Sequence, residues 1–217
     1  MDAQFWLRKW QQNEIGFHQA MPHAALQRHW SRLALPAGAK VFVPLAGKSL
    51  DMVWLAAAGF HVIGIELSDI AVRAFFEENN LQPTRRADRD MTCYRANQIE
   101  LWQGDFFRLR REQLQGVAAI FDRAALIALP ADMRGMYVEH LWRLLAPGFA
   151  GLVVTLEYEQ SQMQGPPFSV LEDEIMARYG GRGEVTRLER DTEVADAARF
   201  AARGVSSLAE TTYLIRG

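Results

Sequence analysis

Cysteine occurs once in 217 residues, at Cys93, which excludes an internal disulfide and any cluster of thiolate metal ligands. Flanked by Met91, Thr92 and Tyr94 in a strand-like stretch, it reads as a small core or edge residue. A nucleophilic cysteine would need a nearby base and an electropositive setting. No apolar run approaches the roughly 18 residues needed to cross a membrane. The opening Met1-Asp2-Ala3-Gln4-Phe5-Trp6 lacks the basic and apolar regions of a signal peptide. Neither sign of charge is in excess, with 24 Lys and Arg against 26 Asp and Glu. The arginines are mixed with acids, as in Arg85-Arg86 beside Asp88 and Asp90, which argues against a nucleic-acid partner. Internal repeats and low-complexity linkers are missing too. A single cytoplasmic, monomeric domain spanning residues 1–217 is therefore expected, with small molecules as its partners.

What is present is alternation. From about residue 40 short apolar runs trade places with helix-like segments, the pattern of an α/β fold with a parallel sheet between helices. Strands are expected over Lys40 to Leu45, His61 to Glu66, Thr92 to Arg95, Ile99 to Trp102, Val117 to Arg123, Gly151 to Tyr158, Glu184 to Glu189 and Leu208 to Ile215. The polar turn between Arg95 and Ile99 predicts a hairpin or meander. Helices are expected over Leu50 to Ala58, stopped by Gly59, and over Ala71 to Asn79, capped by Ser68 or Asp69. Two more run from Asp132 to Leu145, closed by Pro147-Gly148, and from about Val170 to Tyr179. About the first 35 residues stand outside this alternation; they are helical and rich in aromatic rings.

The stretch Lys40-Val-Phe-Val-Pro-Leu-Ala-Gly-Lys-Ser49 ends like a phosphate-binding loop. Such a loop needs a glycine five positions before Gly47, so that the backbone can wrap the phosphates. Phe42 stands there instead, which weakens a nucleotide-hydrolase reading. The same stretch also fits a strand, a sharp turn and a helix, followed by a second strand that ends in an acid. Glu66 lies 19 positions past Gly47, the spacing at which an acid receives ribose hydroxyls in a doubly wound sheet. A carboxylate suits that task because it accepts two hydrogen bonds and donates none. A solvated acid at a strand end is the competing reading. The missing Gly-x-Gly-x-x-Gly disfavours a dinucleotide, whose pyrophosphate rests on a helix N-terminus. S-adenosyl-L-methionine carries a ribose and an adenine but no phosphate, and fits a site without a glycine cradle.

The segments Val43-Pro-Leu-Ala-Gly-Lys-Ser-Leu-Asp-Met52, Gly64-Ile-Glu-Leu-Ser68, Phe121-Asp-Arg-Ala-Ala-Leu126 and Gly165-Pro-Pro-Phe168, with Trp10 and Gly16-Phe-His18, resemble the thiopurine S-methyltransferase family, particularly its bacterial members. The likeness runs from about Phe5 to the last strand, in order and in spacing. It implies the Rossmann-like class I methyltransferase fold. That fold is a three-layer sandwich whose seven-stranded, mostly parallel sheet has one antiparallel strand, here in the C-terminal hairpin. It implies S-adenosyl-L-methionine as cofactor, contacted by Trp10 from an N-terminal lid, Leu45 in the first turn, Glu66 on the ribose and Arg123 at a strand end. Asp105 and Phe106 match the segment beside adenine. Ala46 departs from the cysteine usual in the family, at a position the chemistry does not use.

Methyl transfer from a sulfonium is an in-line displacement, requiring alignment and exclusion of water but no metal. Heteroaromatic thiols ionise near neutrality, so stabilisation of a thiolate can replace a dedicated base. Arg123 is the expected donor for this task. Arg199 matches a second substrate-side arginine, against the equal alternative of a solvated surface residue. Phe5, Trp6, Trp10 and Phe17 concentrate large rings in the first 20 residues. They read either as a lid over cofactor and substrate, Phe17 on the substrate side, or as the packed face of an amphipathic helix. His61 and His140 read as structural, and His18 and His23 are five apart, not the four that align two metal ligands on a helix. The leading activity is methylation of aromatic and heterocyclic thiols. Methylation of selenium, tellurium or other small inorganic nucleophiles, and a non-catalytic module that binds the same cofactor, are the alternatives.

Overall fold

Among residues 3–217, which the computed structural model describes, nine strands form one sheet. They are β1 (Lys40–Val43), β2 (His61–Glu66), β3 (Thr84–Asp88), β4 (Met91–Ala96), β5 (Ile99–Gln103), β6 (Val117–Arg123), β7 (Ala150–Glu157), β8 (Glu184–Asp191) and β9 (Ala209–Arg216). The order across the sheet is β3-β4-β5-β2-β1-β6-β7-β9-β8. The five central strands, β5 through β7, are mutually parallel. β9 inserts antiparallel between β7 and β8.

Seven strands, β5-β2-β1-β6-β7-β9-β8, make the sheet expected from the family likeness. The sheet is nonetheless larger than that expectation, because β3 and β4 extend it as an antiparallel ribbon paired on β5. β4 was legible in the sequence; β3 was not. Its residues Thr84-Arg-Arg-Ala-Asp88 are exposed apart from half-buried Asp88, so no alternation of apolar and polar marks them. β3 exists because β4 offers it a hydrogen-bonding edge, and its arginines suit an outer strand that must not pair further. Arg85 lies over the Tyr94 ring and Arg86 over the Trp102 ring, at 5.1 and 5.6 Å from the ring centres.

After α1 (Ala3–Gln11), helices cover both faces: α2 (Ala24–His29), α3 (Leu50–Ala57), α4 (Asp69–Glu78), α5 (Ala131–Leu144), α6 (Glu172–Tyr179) and α7 (Ala197–Ala201). Successive strand residues point to opposite faces. Val41 and Val43 enter a core shared with Leu26, Met52 and Phe75 of α2, α3 and α4. Phe42 enters the other, with Tyr137 and Leu141 of α5 and Ile175 of α6. A large apolar side chain buried this fully stabilises the fold by ~1.5–3 kcal/mol. Gly64 permits the close approach of α3, since a Cβ there would lie 2.8 Å from Met52 Sδ and 2.7 Å from Leu101 Cδ1.

Local signals behave as physics requires. Ser49 and Ser68 cap α3 and α4, accepting from the amides of Asp51 and Ala71 at 3.1 and 3.3 Å. Gly59 ends α3 at φ 90°. Of the first 35 residues, α2 and the turn after it belong to the core, with Ala25, Leu26, Trp30 and Leu33 all buried. Only α1 and the chain up to about residue 22 lie outside the layers. Among the described residues no helix is long and apolar enough to cross a membrane.

Candidate active site

From β1 the chain builds outward through β2 to one edge, then returns to the other side of β1 with β6. Ligands in open α/β sheets sit at such a reversal, beyond the carboxyl ends of the strands. A cleft of about 1180 Å³ lies at that place. This exceeds the 300–1,000 Å³ typical of a single small-ligand site, enough for a nucleoside-sized donor together with an acceptor.

The turn after β1 forms one wall. Leu45 has φ 45° and Gly47 φ 56°; the left-handed region is uncommon for a residue with a side chain, and such backbone concentrates at functional sites. Ala124, following β6 across the reversal, has φ 66°. The turn is stitched to the tip of β2, because Ala46 N–H donates to the Ile65 carbonyl at 2.8 Å.

Glu66, the last residue of β2, is buried and faces the cleft. Its Oε2 accepts the Gly47 N–H at 2.9 Å and its Oε1 the Ser68 N–H at 2.7 Å. Burial raises its pKa, while the amides of Ser68, Gly47 and Leu67 pull it down. A carboxylate has about four acceptor positions. The amides of Gly47 and Ser68, at 2.9 and 2.7 Å, leave roughly half of them for hydroxyl donors in the cleft, on an oxygen pair whose direction the backbone fixes.

Asp105 and Phe106, after β5, also line the cleft. Asp105 accepts the Phe107 N–H at 2.9 Å. The Phe106 ring is 2% exposed and stacked on Phe42 and against Tyr137. It is chiefly a core residue, and the neighbouring Phe107 ring is the more open of the two.

Arg123 ends β6, half-buried, with its Nη2 donating to the Phe17 carbonyl at 3.5 Å. Burial lowers its pKa, opposed by the carboxylates of Asp51, Glu210 and Asp196; a guanidinium stays protonated regardless. Arg199 sits on α7, exposed, paired with Asp196 at 3.4 Å and lying over Phe200. It reaches the cleft, and a Cβ on Gly16 would meet its Nη1 at 3.2 Å.

Above the turn lies α1. Trp10 is buried, and its ring carbon Cζ2 is 3.2 Å from where a Gly47 Cβ would stand. Phe17 meets Trp6 and Trp10 edge to face, both at 5.6 Å. Phe5 meets Trp6 likewise at 5.3 Å.

Several contacts in the cleft could not be read from the sequence. Asp51 accepts the His23 N–H at 2.7 Å and the Ser49 hydroxyl at 2.8 Å. The His23 ring sits 3.1 Å from Glu210, 187 positions away. Lys48 pairs with Glu78 of α4 at 2.6 Å. Only long-range folding brings most of these together, although Asp51 in the first turn of α3 follows a capping serine.

A family model described as Thiopurine S-methyltransferase (TPMT) matches residues 1–217. Proteins named thiopurine S-methyltransferase from Pseudomonas fluorescens and Nitrosomonas eutropha are 49% and 46% identical. Each alignment covers all of this chain, and 100% and 98% of the respective relative. Among solved structures, a SAM-dependent methyltransferase from Anabaena variabilis aligns over 99% of this chain and 94% of its own, with TM-score 0.63 and 14% identity. The Burkholderia thailandensis 1,6-didemethyltoxoflavin-N1-methyltransferase, with S-adenosylhomocysteine bound, aligns over 99% and 87%, with TM-score 0.61 and 13% identity. The latter two establish the class I methyltransferase fold, and on the match over its full length the chain belongs to the thiopurine S-methyltransferase family.

Proposed function

We propose that this protein transfers the methyl group of S-adenosyl-L-methionine to the sulfur of aromatic and heterocyclic thiols, thiopurines among them. The observation that carries the reading is Glu66, a buried carboxylate with acceptor capacity left over, aimed into a cleft that has no phosphate cradle. Such a group accepts both hydroxyls of a ribose in a forked manner. When bound, the donor supplies an electrophilic methyl on a positively charged sulfur. Trp10 closes over the turn, Leu45 contacts the donor from the turn itself, and Asp105 and Phe106 border the nucleoside end. The rings of Trp10 and Phe17 present π faces that attract positive charge by about 1 kcal/mol.

On the acceptor side, Arg123 holds the thiolate by charge, aided by Arg199 at the rim. Phe17 covers a flat ring and excludes water. Of the roughly 35 aromatic-rich N-terminal residues, the segment up to about residue 22 acts as the lid. On the sequence grounds given above, we take the protein to work as a cytoplasmic monomer on small molecules.

The test is turnover of a thiopurine with methyl-labelled donor. Arg123→Ala is expected to lower kcat by about 100- to 1,000-fold, the usual cost of losing one charge-stabilising donor, while Tm moves by only about 2–4 °C. A fully active variant removes Arg123 from the reaction, and no turnover by the parent with any thiol ends the proposal.

A further inference from the structure

His18 differs from the other histidines that the fold encloses. His23 bonds Glu210 and the Ala25 amide through its ring, His29 bonds Glu189, and His140 the Phe106 carbonyl. Among the described residues, neither ring nitrogen of His18 has a hydrogen-bond partner; only its main-chain N–H is engaged, donating to the Ile15 carbonyl at 2.8 Å. The residue is half-buried and lines the cleft.

The charged groups facing it are Lys48 from the turn after β1, Glu78 from α4 and Arg123 from β6. Lys48 and Glu78 are paired with each other. Arg123 holds the carbonyl of Phe17, the residue next to His18. An unpaired imidazole and the cation assigned to the thiolate therefore share one wall. Burial, then Lys48, lowers the His18 pKa, so at neutral pH the ring is uncharged and one nitrogen offers a lone pair.

We propose that His18 is a general base for the acceptor, extending the reaction to thiols too weakly acidic to ionise unaided, alkyl thiols among them. This rests on the methyl-transfer reading above. The acceptor S–H bond breaks, its electron pair stays on sulfur, and the proton forms an N–H bond on the imidazole. The sulfur pair then bonds the methyl carbon, and the bond from that carbon to the donor sulfur breaks with its pair left on the donor. The imidazolium, beside Arg123 and Lys48, returns its proton to water.

The experiment compares the parent with His18→Gln and His18→Ala on a heteroaromatic thiol, a thiophenol and 2-mercaptoethanol, with donor Kd measured by calorimetry for each protein. The loss in kcat is expected to deepen as the thiol becomes less acidic, from a few-fold to about 100-fold, the range a positioned base supplies. Added imidazole should restore part of the His18→Ala rate on the alkyl thiol. The parent's pH profile with that thiol should also show a limb below the ordinary histidine value that His18→Gln lacks. An equal loss on all three acceptors, an undiminished rate on the alkyl thiol, or a parent active on heteroaromatic but not alkyl thiols each overturns the proposal. A parent inactive on every thiol instead defeats the methyl-transfer reading itself.

Discussion

Two carboxylates sit near the carboxyl ends of strands on either side of the fold's reversal, and burial does not distinguish them. Glu66 ends β2 and Asp122 is next to last in β6; both are shielded from solvent. Glu66 uses one acceptor position on each oxygen for a backbone amide and turns the rest toward the cleft. Asp122 is enclosed by its own loop and α5, accepting the Leu126 N–H at 3.1 Å and the Tyr137 hydroxyl at 2.7 Å. Burial lifts the Asp122 pKa from 3.8 to about 6 against those bonds. One acid therefore keeps acceptor positions open to the cleft, and the other holds the loop that follows Arg123. The difference lies in which lone pairs remain open, a property of partners rather than of depth.

The largest effect that sharpens this contrast concerns Asp122. Its folded-state pKa lies above the unfolded value, so the native protein keeps a proton that the unfolded chain has released. The stabilisation from that proton is complete below pH 3.8 and is lost as pH rises through about 6. At about 1.4 kcal/mol per pH unit, the interval amounts to roughly 3 kcal/mol. Denaturant titrations from pH 4 to 7 should show Asp122→Asn gaining on the parent by about that amount, with donor affinity unchanged. A gap that stays constant with pH would place the Asp122 pKa near its ordinary value.

Next comes Glu66→Ala, expected to weaken donor binding by ~1–3 kcal/mol, the cost of leaving hydroxyls without their acceptor. Calorimetry that gives the parent's affinity would erase the functional half of the contrast. The smallest effect is that of Gly47→Ala, which keeps the amide bonded to Glu66 but puts a methyl 3.2 Å from the Trp10 ring on left-handed backbone. A penalty of about 1–2 kcal/mol is expected, read as a lower Tm together with slightly weaker donor binding. An unaltered variant would show that Trp10 does not rest on this turn.

The place of Glu66 at the cleft was legible because it depends on spacing along the chain, from the first turn to the end of the second strand. Asp122 was not, since nothing in Phe121-Asp-Arg-Ala-Ala-Leu126 tells which charged neighbour is enclosed and which is aimed at the cleft. The central strands announced themselves as near-continuous apolar runs, as strands buried on both faces must. β3 is charged and lies at an edge, so only its partner could reveal it. The aromatic N-terminus looked like one element in sequence, yet packing divides it: Leu26 and Trp30 are needed by the core, whereas Trp6 and Phe17 face the cleft. Arg199 stayed ambiguous in sequence and remains exposed in the fold, a rim residue whose worth only kinetics can assign.

The ladder of edge-on rings over the turn after β1 also gives the protein an optical reporter. Of its tryptophans, Trp30 and Trp102 are sealed in the two cores, and Trp54 and Trp142 pack against them. Trp6 and Trp10 alone border the cleft. Ultraviolet emission excited at the indole band should therefore shift with occupancy of the cleft, and stopped-flow recording of that shift would time the lid without any attached dye.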